Sequence, residues 1–288
     1  MTTEVQTCYR HADRRAGVRC QRCGRPICPS CMHQASVGFH CPECVKAAGQ
    51  RVYTARTMQA ANKPVVTLSL IAVNVAIYLV STVGRFGTFL TDPSQEFATD
   101  WGLIGRAFDR FNGVVVGVAE GEWYRLVTGG FLHGGLIHLG FNMFALWILG
   151  QALESPIGRA NFGAVYGSSL LAGSLGVMVL DPDSLTVGAS GAVFGLFGYA
   201  LVAQWARGIN PLQTGLGAII ALNIFITFTI PNISIGGHLG GLIGGVVAGG
   251  LIDVVRPHLK LPAWVGWVLV GAVGAACFGA SVFVGNGV

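Results

Sequence analysis

Beyond residue 64 the chain is a succession of apolar runs, each about the length a helix needs to cross a bilayer. The approximate spans are 65–84, 136–153, 160–180, 187–206, 211–230, 235–252 and 263–284. A helix needs roughly 20 residues to cross the hydrocarbon layer. Only 11% of the 288 residues are charged, against about a quarter in soluble domains. The expected fold class is therefore an all-α polytopic membrane protein with seven spans. The second and sixth spans read as short and glycine-interrupted, which suggests ends in a protein-lined cavity rather than in lipid.

Charge sets the orientation. Residues 1–63 hold ten Lys/Arg against three acids, whereas residues 64–288 hold eight against ten. A basic flank on the cytoplasmic side accounts for this asymmetry; no recognition-helix pattern supports nucleic acid as a partner. With that flank inside, the inner connections Glu154–Arg159, Arg207–Asn210 and Asp253–Lys260 each carry a basic residue. The outer connections 181–184 and 231–234 carry none. The long outer loop, 85–125, has four Arg but six acids, and its Trp101, Phe108, Phe111, Trp123 and Tyr124 suit an interfacial position. The expected location is the cell membrane, with the N-terminus cytoplasmic and the C-terminus outside.

Polar side chains inside a bilayer are costly and so mark candidate functional sites. Spans two, four and six run in the same direction, and each carries its notable polar group near its outer end. These are His138 and Asn142, then Ser190, then His238. Four such groups at one depth form a convergence. His138 and Asn142 are four residues apart and share a helix face. Gly188, Ala189, Gly191, Ala192 and Gly195 around Ser190 allow close helix approach, as do Gly237, Gly241 and Gly245 beside His238. His can accept the proton that makes a serine nucleophilic. Asn142, His138 and the Ser190 N–H are candidate donors to an oxyanion. Asp181 and Asp183 lie in the preceding loop and reach the site only by folding back, so a Ser–His dyad is expected rather than a triad.

Taken singly, Ser190 would be a packing residue and each His a satisfied polar group or a relay. Taken jointly, they favour catalysis. A channel or transporter is disfavoured by the expected absence of any transmembrane acid to carry coupling ions or line a cation path. The soluble hydrolase elbow is absent too, since Ala192 stands where its second glycine would be.

Glu122-Trp-Tyr-Arg125, His138-x-x-x-Asn142, Gly188-Ala-Ser-Gly191 with Phe194, and His238-x-x-Gly-Gly241 occur in this order. Over residues 64–260 this pattern resembles the rhomboid family of intramembrane serine proteases. The resemblance implies a six-helix bundle, here with one further C-terminal helix. It implies Ser190 as nucleophile, His238 as general base, and His138 and Asn142 supporting the oxyanion. Gly188 and Phe194 would play supporting parts, the ring lying against the His. It also implies transmembrane substrates cut near the outer interface, with no catalytic cofactor. A non-catalytic relative that binds or escorts membrane proteins is the alternative; the intact Ser190 and His238 argue against it.

Seven of the eight cysteines lie between Cys8 and Cys44. No apolar stretch stands near the start, so this segment is expected to stay in a reducing cytoplasm, where clustered cysteines favour metal. Cys8-x2-His11, Cys20-x2-Cys23, Cys28-x2-Cys31 and Cys41-x2-Cys44 supply eight ligands, enough for two tetrahedral zinc ions. The alternating order resembles cross-braced B-box or RING-like fingers. On that pattern Cys8, His11, Cys28 and Cys31 hold one ion and Cys20, Cys23, Cys41 and Cys44 the other. Sequential pairing stays open, and His33 and His40 are spare. The expected division is a zinc module over 1–45 that docks a cytoplasmic protein, a linker over 46–63 and a membrane domain over 64–288.

Overall fold

The computed structural model describes residues 6–35, 37–48, 63–82, 95–110 and 112–287. Most of the expected linker, the end of the first span, the start of the outer loop and Phe111 lie outside these residues. The chain divides into two compact units, residues 1–62 and 63–288.

The first unit is built from two short hairpins and one helix. Strands β1 (Val18–Arg19) and β2 (Pro26–Ile27) pair antiparallel, as do β3 (His33–Gln34) and β4 (Phe39–His40). Helix α1 (Pro42–Ala47) follows, with Pro42 at its first turn, where its missing N–H costs nothing. The interior is made of Cys8, Cys20, Ile27, Cys28, Cys31 and Cys41. With Ile27 and Val45 as its buried aliphatic side chains, so small a core cannot hold the unit together alone.

The second unit is helical. In chain order it contains α2 (Val65–Ser81), α3 (Gln95–Trp101), a hairpin of β5 (Ala107–Asp109) and β6 (Val114–Val116), and the short α4 (Arg125–Thr128). Then come α5 (Leu136–Ile157), α6 (Arg159–Leu180), α7 (Ser190–Ala206), α8 (Leu216–Thr229), α9 (Ile235–Gly249) and α10 (Ala263–Gly285). A π-turn over Gly250–Val255 carries α9 on to His258. All seven expected apolar helices are present. Four are long and apolar enough to cross a membrane, namely Leu136–Ile157, Arg159–Leu180, Ile235–His258 and Ala263–Gly285. The second and sixth spans are thus not short: they run for 22 and 24 residues. The short helices are α2 and α7, of 17 residues each, and α8, of 14. At ~1.5 Å per residue, α8 covers only about 21 Å.

The second span outlasts its apolar run because Glu154 is no loop residue, which corrects the expectation that the spans hold no acid. Its carboxylate is 2% exposed and accepts from the Val66 N–H (2.9 Å), the Thr67 N–H (2.8 Å) and the Thr67 hydroxyl (2.7 Å). The acid thereby satisfies the first orphan donors of α2 and lies at the favourable end of its dipole. Gly158, at φ +83°, then turns the chain directly into α6.

Helix α7 is the core of this unit, and every residue from Ala192 to Ala200 is buried. Helix α9 packs between α6 and α7 through glycine. A side chain at Gly241 or Gly245 would run into the backbone of Gly191 or Gly195 of α7, while Gly236 and Gly240 meet Gly176 and Ala172 of α6. Close backbone approach replaces hydrophobic driving force, which lipid does not supply between helices. Large apolar side chains such as Phe141, Phe144, Phe225 and Phe283 point outward, as a lipid-facing surface requires. The Gly241→Val variant is expected to lose about 3 kcal/mol or more, because the overpacked neighbour is backbone and cannot repack. Thermal unfolding in detergent checks this. Gly271→Ala in α10, where nothing lies within 4 Å, is expected to leave the midpoint unchanged.

Candidate active site and metal centres

The segment that precedes α5 organises the approach to Ser190. Arg125 is 1% exposed; its guanidinium donates to Glu122 Oε2 (2.7 Å), the Thr99 carbonyl (2.5 Å) and the Gly102 carbonyl (2.9 Å). Glu122 Oε2 also accepts from the Gly117 N–H at 2.6 Å. Burial would raise the Glu122 carboxyl, but Arg125 and the Gly117 N–H outweigh it and hold the group below its usual range. Leu103 and Thr186 exchange a pair of backbone hydrogen bonds, 3.0 and 2.8 Å, and the Gly188 N–H donates to the Gly129 carbonyl at 2.9 Å. These bonds fix the irregular strand that enters α7.

Ser190 is the first residue of that helix, so its N–H is one of the orphan donors at the positive end of the helix dipole. Its hydroxyl is half-buried and makes no hydrogen bond among the described residues. Three serines within these helices behave differently, although the buried Ser169 hydroxyl also has no partner among the described residues. Ser69, Ser174 and Ser281 each donate to the carbonyl four residues back, the usual resting place of a packing serine. Ser190 has no helical carbonyl behind it, and its hydroxyl is left free.

His138 lies opposite. Gly188 sits at φ +132°, and a Cβ there would meet His138 Cε1 and Nε2 at 2.8 Å and Ser190 Oγ at 3.6 Å. The missing side chain is what lets the imidazole and the hydroxyl share this space. His138 Nδ1 accepts a long hydrogen bond from the Gly134 N–H, 3.4 Å. That leaves the ring proton on Nε2, the nitrogen facing Gly188. Asn142 is 6% exposed, and one amide hydrogen is used on the His138 carbonyl (3.0 Å).

His238 stacks on Phe194, one turn beyond Ser190, with ring centroids 4.0 Å apart and planes 18° from parallel. Its Nδ1 lies 2.7 Å from Thr227 Oγ1 on α8. No hydrogen bond joins Ser190 to His238 here. Asp181 does fold back, but its carboxylate accepts from the Gly236 N–H at 3.5 Å and so caps α9 rather than the His238 ring. Two residues that sequence reasoning missed belong to this centre. Thr227 is one. His133 is the other, 3% exposed and edge-on to His138 with centroids 5.1 Å apart, neither ring nitrogen having a hydrogen-bond partner. Its five-residue spacing from His138 was the available signal.

In the first unit the eight expected metal ligands gather into two sets, Cys8, His11, Cys28 and Cys31, and Cys20, Cys23, Cys41 and Cys44. Within each set the donor atoms all lie within 4.8 Å of one another. His11 Nδ1 is 3.4 Å from Cys28 Sγ and 3.3 Å from Cys31 Sγ, and Cys23 Sγ is 3.7 Å from Cys41 Sγ. A tetrahedron with ~2.3 Å metal–sulfur bonds has edges of about 3.8 Å, so the donors fit a zinc-sized ion. Arg25, donating to Cys23 Sγ at 3.3 Å, pulls that thiol down to about 6, toward the thiolate that binds metal. His33 and His40 instead face each other across β3 and β4.

A bundle of apolar helices with a free hydroxyl and two imidazoles at the N-terminal ends of three of them defines a polytopic membrane protein with a polar centre. The chain belongs to the rhomboid family. The family model described as the Rhomboid domain matches residues 120–253, which contain Ser190, His138, Asn142 and His238. Rhomboid protease GluP of Bacillus subtilis is 38% identical over 142 residues, covering 48% of this chain and 28% of that protein. YdcA, a rhomboid relative from the same organism, is 42% identical over 141 residues, covering 48% of this chain and 71% of its own. RHOMBOID-like protein 5 of Arabidopsis thaliana is 38% identical over 149 residues, covering 49% and 47%.

Proposed function

We propose that this chain is an intramembrane serine endopeptidase that cuts transmembrane protein substrates near the outer membrane interface through a Ser190–His238 dyad. The observation that carries this reading is the free Ser190 hydroxyl beside Gly188, with His138 on one side and His238 stacked one helical turn away. Ser190 Oγ attacks the substrate carbonyl carbon and its proton passes to His238 Nε2. The oxygen that gains charge is met by the Ser190 N–H, His138 Nε2–H and the second amide hydrogen of Asn142. Donors fixed before the charge develops stabilise it without reorganisation. As the C–N bond breaks, His238 returns the proton to the leaving amine, and water hydrolyses the acyl-enzyme by the same route. Phe194 holds the imidazole face, and Gly188 keeps open the space that the substrate carbonyl needs. No cofactor takes part.

The protein acts in the cell membrane with its N-terminus in the cytoplasm and its C-terminus outside, in keeping with the basic inner connections. The first unit binds two zinc ions that stabilise it, through the eight ligands above, and docks a cytoplasmic protein. The names of the protease relatives and the rhomboid match support the enzymatic reading. A fluorophosphonate probe applied to protein reconstituted in lipid tests it, with mass spectrometry locating the adduct. Labelling at Ser190 is expected; active protein that carries its adduct elsewhere, or none, would overturn the dyad.

A further inference from the structure

We propose that Thr227 is a positioning residue that sets the tautomer of His238, in the place where a triad would have a carboxylate. The inference rests on the protease reading for its consequence, though its geometry stands independently. Only Leu216, Ile220 and Thr227 of α8 are buried, and Thr227 is the polar one, 3% exposed. Its Oγ1 makes two short contacts, 2.8 Å to the Asn223 carbonyl and 2.7 Å to His238 Nδ1. A threonine hydroxyl has one hydrogen, and a carbonyl oxygen can only accept. Two oxygens 2.8 Å apart with no hydrogen between them would repel. The Thr227 hydrogen therefore lies on the Asn223 side, and the contact with the ring is Nδ1–H donating to Oγ1.

That assignment decides which nitrogen is the base. With the proton on Nδ1, the lone pair is on Nε2, the only ring nitrogen left to accept the Ser190 proton. The opposite tautomer would bury the lone pair against Thr227 and present a hydrogen to the serine. Phe194 fixes the ring plane while Thr227 fixes its edge, so together they determine both angle and protonation. Asp181, the acid that folds back toward the start of α9, is engaged with the Gly236 N–H instead. When the imidazolium forms, the Thr227–Asn223 pair supplies an oriented dipole rather than a charge.

Two measurements on the full chain in micelles or vesicles test this. Two-bond proton–nitrogen correlation of imidazole-15N protein, with His238 assigned from a His238→Gln variant, reads the tautomer without reference to activity. The Nδ1–H form is expected in the resting protein; a predominant Nε2–H form overturns the proposal. Cleavage of a reconstituted transmembrane substrate gives the consequence. Thr227→Val, similar in shape but lacking the acceptor, is expected to lower kcat roughly 100-fold with KM unchanged, since a misdirected base forfeits much of general-base catalysis. Thr227→Ser, which keeps the oxygen, is expected to remain within about threefold of the parent. Parental kcat in Thr227→Val, or equal losses in both variants, overturns it. If the parent protein itself cleaves nothing, the protease reading fails and the spectrum alone decides the tautomer.

Discussion

Ser190→Ala is expected to reduce cleavage of a reconstituted transmembrane substrate on the order of a thousandfold or more, leaving the thermal midpoint unchanged. The expectation follows from the position of the side chain. Its hydroxyl bonds to no carbonyl, so removing it breaks no structural contact, while the nucleophile is lost entirely. His238→Ala should cost a similar factor. The double variant should be scarcely worse than either single one, because nucleophile and base act as a unit and their losses do not add. Fragment bands quantified over time from proteoliposomes give all three rates. Cleavage that survives Ser190→Ala would assign the chemistry to another residue.

Metal removal should have the second large effect, confined to the first unit. Freshly purified, reduced protein is expected to hold two zinc ions per chain by elemental analysis. A strong chelator should release both and expose residues 6–48 to proteolysis. Zinc in small thiolate sites contributes ~10–16 kcal/mol to folding, far more than a core with Ile27 and Val45 as its buried aliphatic side chains can supply. The ligands interleave along the chain, so losing either ion frees segments that also carry the other's ligands. Zinc titration should therefore show no plateau at one ion per chain. A stoichiometry near zero, or a singly loaded species that resists protease, would count against the cross-braced arrangement.

The helices were legible because lipid leaves long apolar runs in the primary structure, and lengths near 20 residues have few other uses. Their ends were less so. Glu154 reads as the start of a loop, yet it is buried inside α5 because α2 brings it three donors. An acid neutralised by another helix's N-terminus has no local signature. Ser190 begins its helix three residues later than the apolar run suggests, because Gly188 at φ +132° cannot be helical. The codirectional spans placed His138, Ser190 and His238 at one level, and their small-residue neighbours predicted close approach. Thr227 escaped notice for a physical reason. A threonine in an apolar run usually bonds its own backbone, and Thr227 does so at Asn223; its second contact depends on a ring eleven residues away. The two Cys/His clusters that could hold a metal were legible as pairs from spacing, whereas their grouping had to await the hairpins that fold one pair beside another.

The glycine faces of α9 also bear on how this protein can vary. Where two backbones touch there is no rotamer to adjust and no neighbouring side chain to shrink in compensation. Each such position is a dead end for drift, since the first step away from glycine is already the costly one. Exposed positions such as Phe225 and Phe283 pack against little else in the protein and can wander among apolar residues at little cost. Sequence change is thus steered to the rim of the bundle. Lineages of this protein should diverge most where they meet their own membrane, and keep the spacing between Ser190 and His238 as an inherited constant.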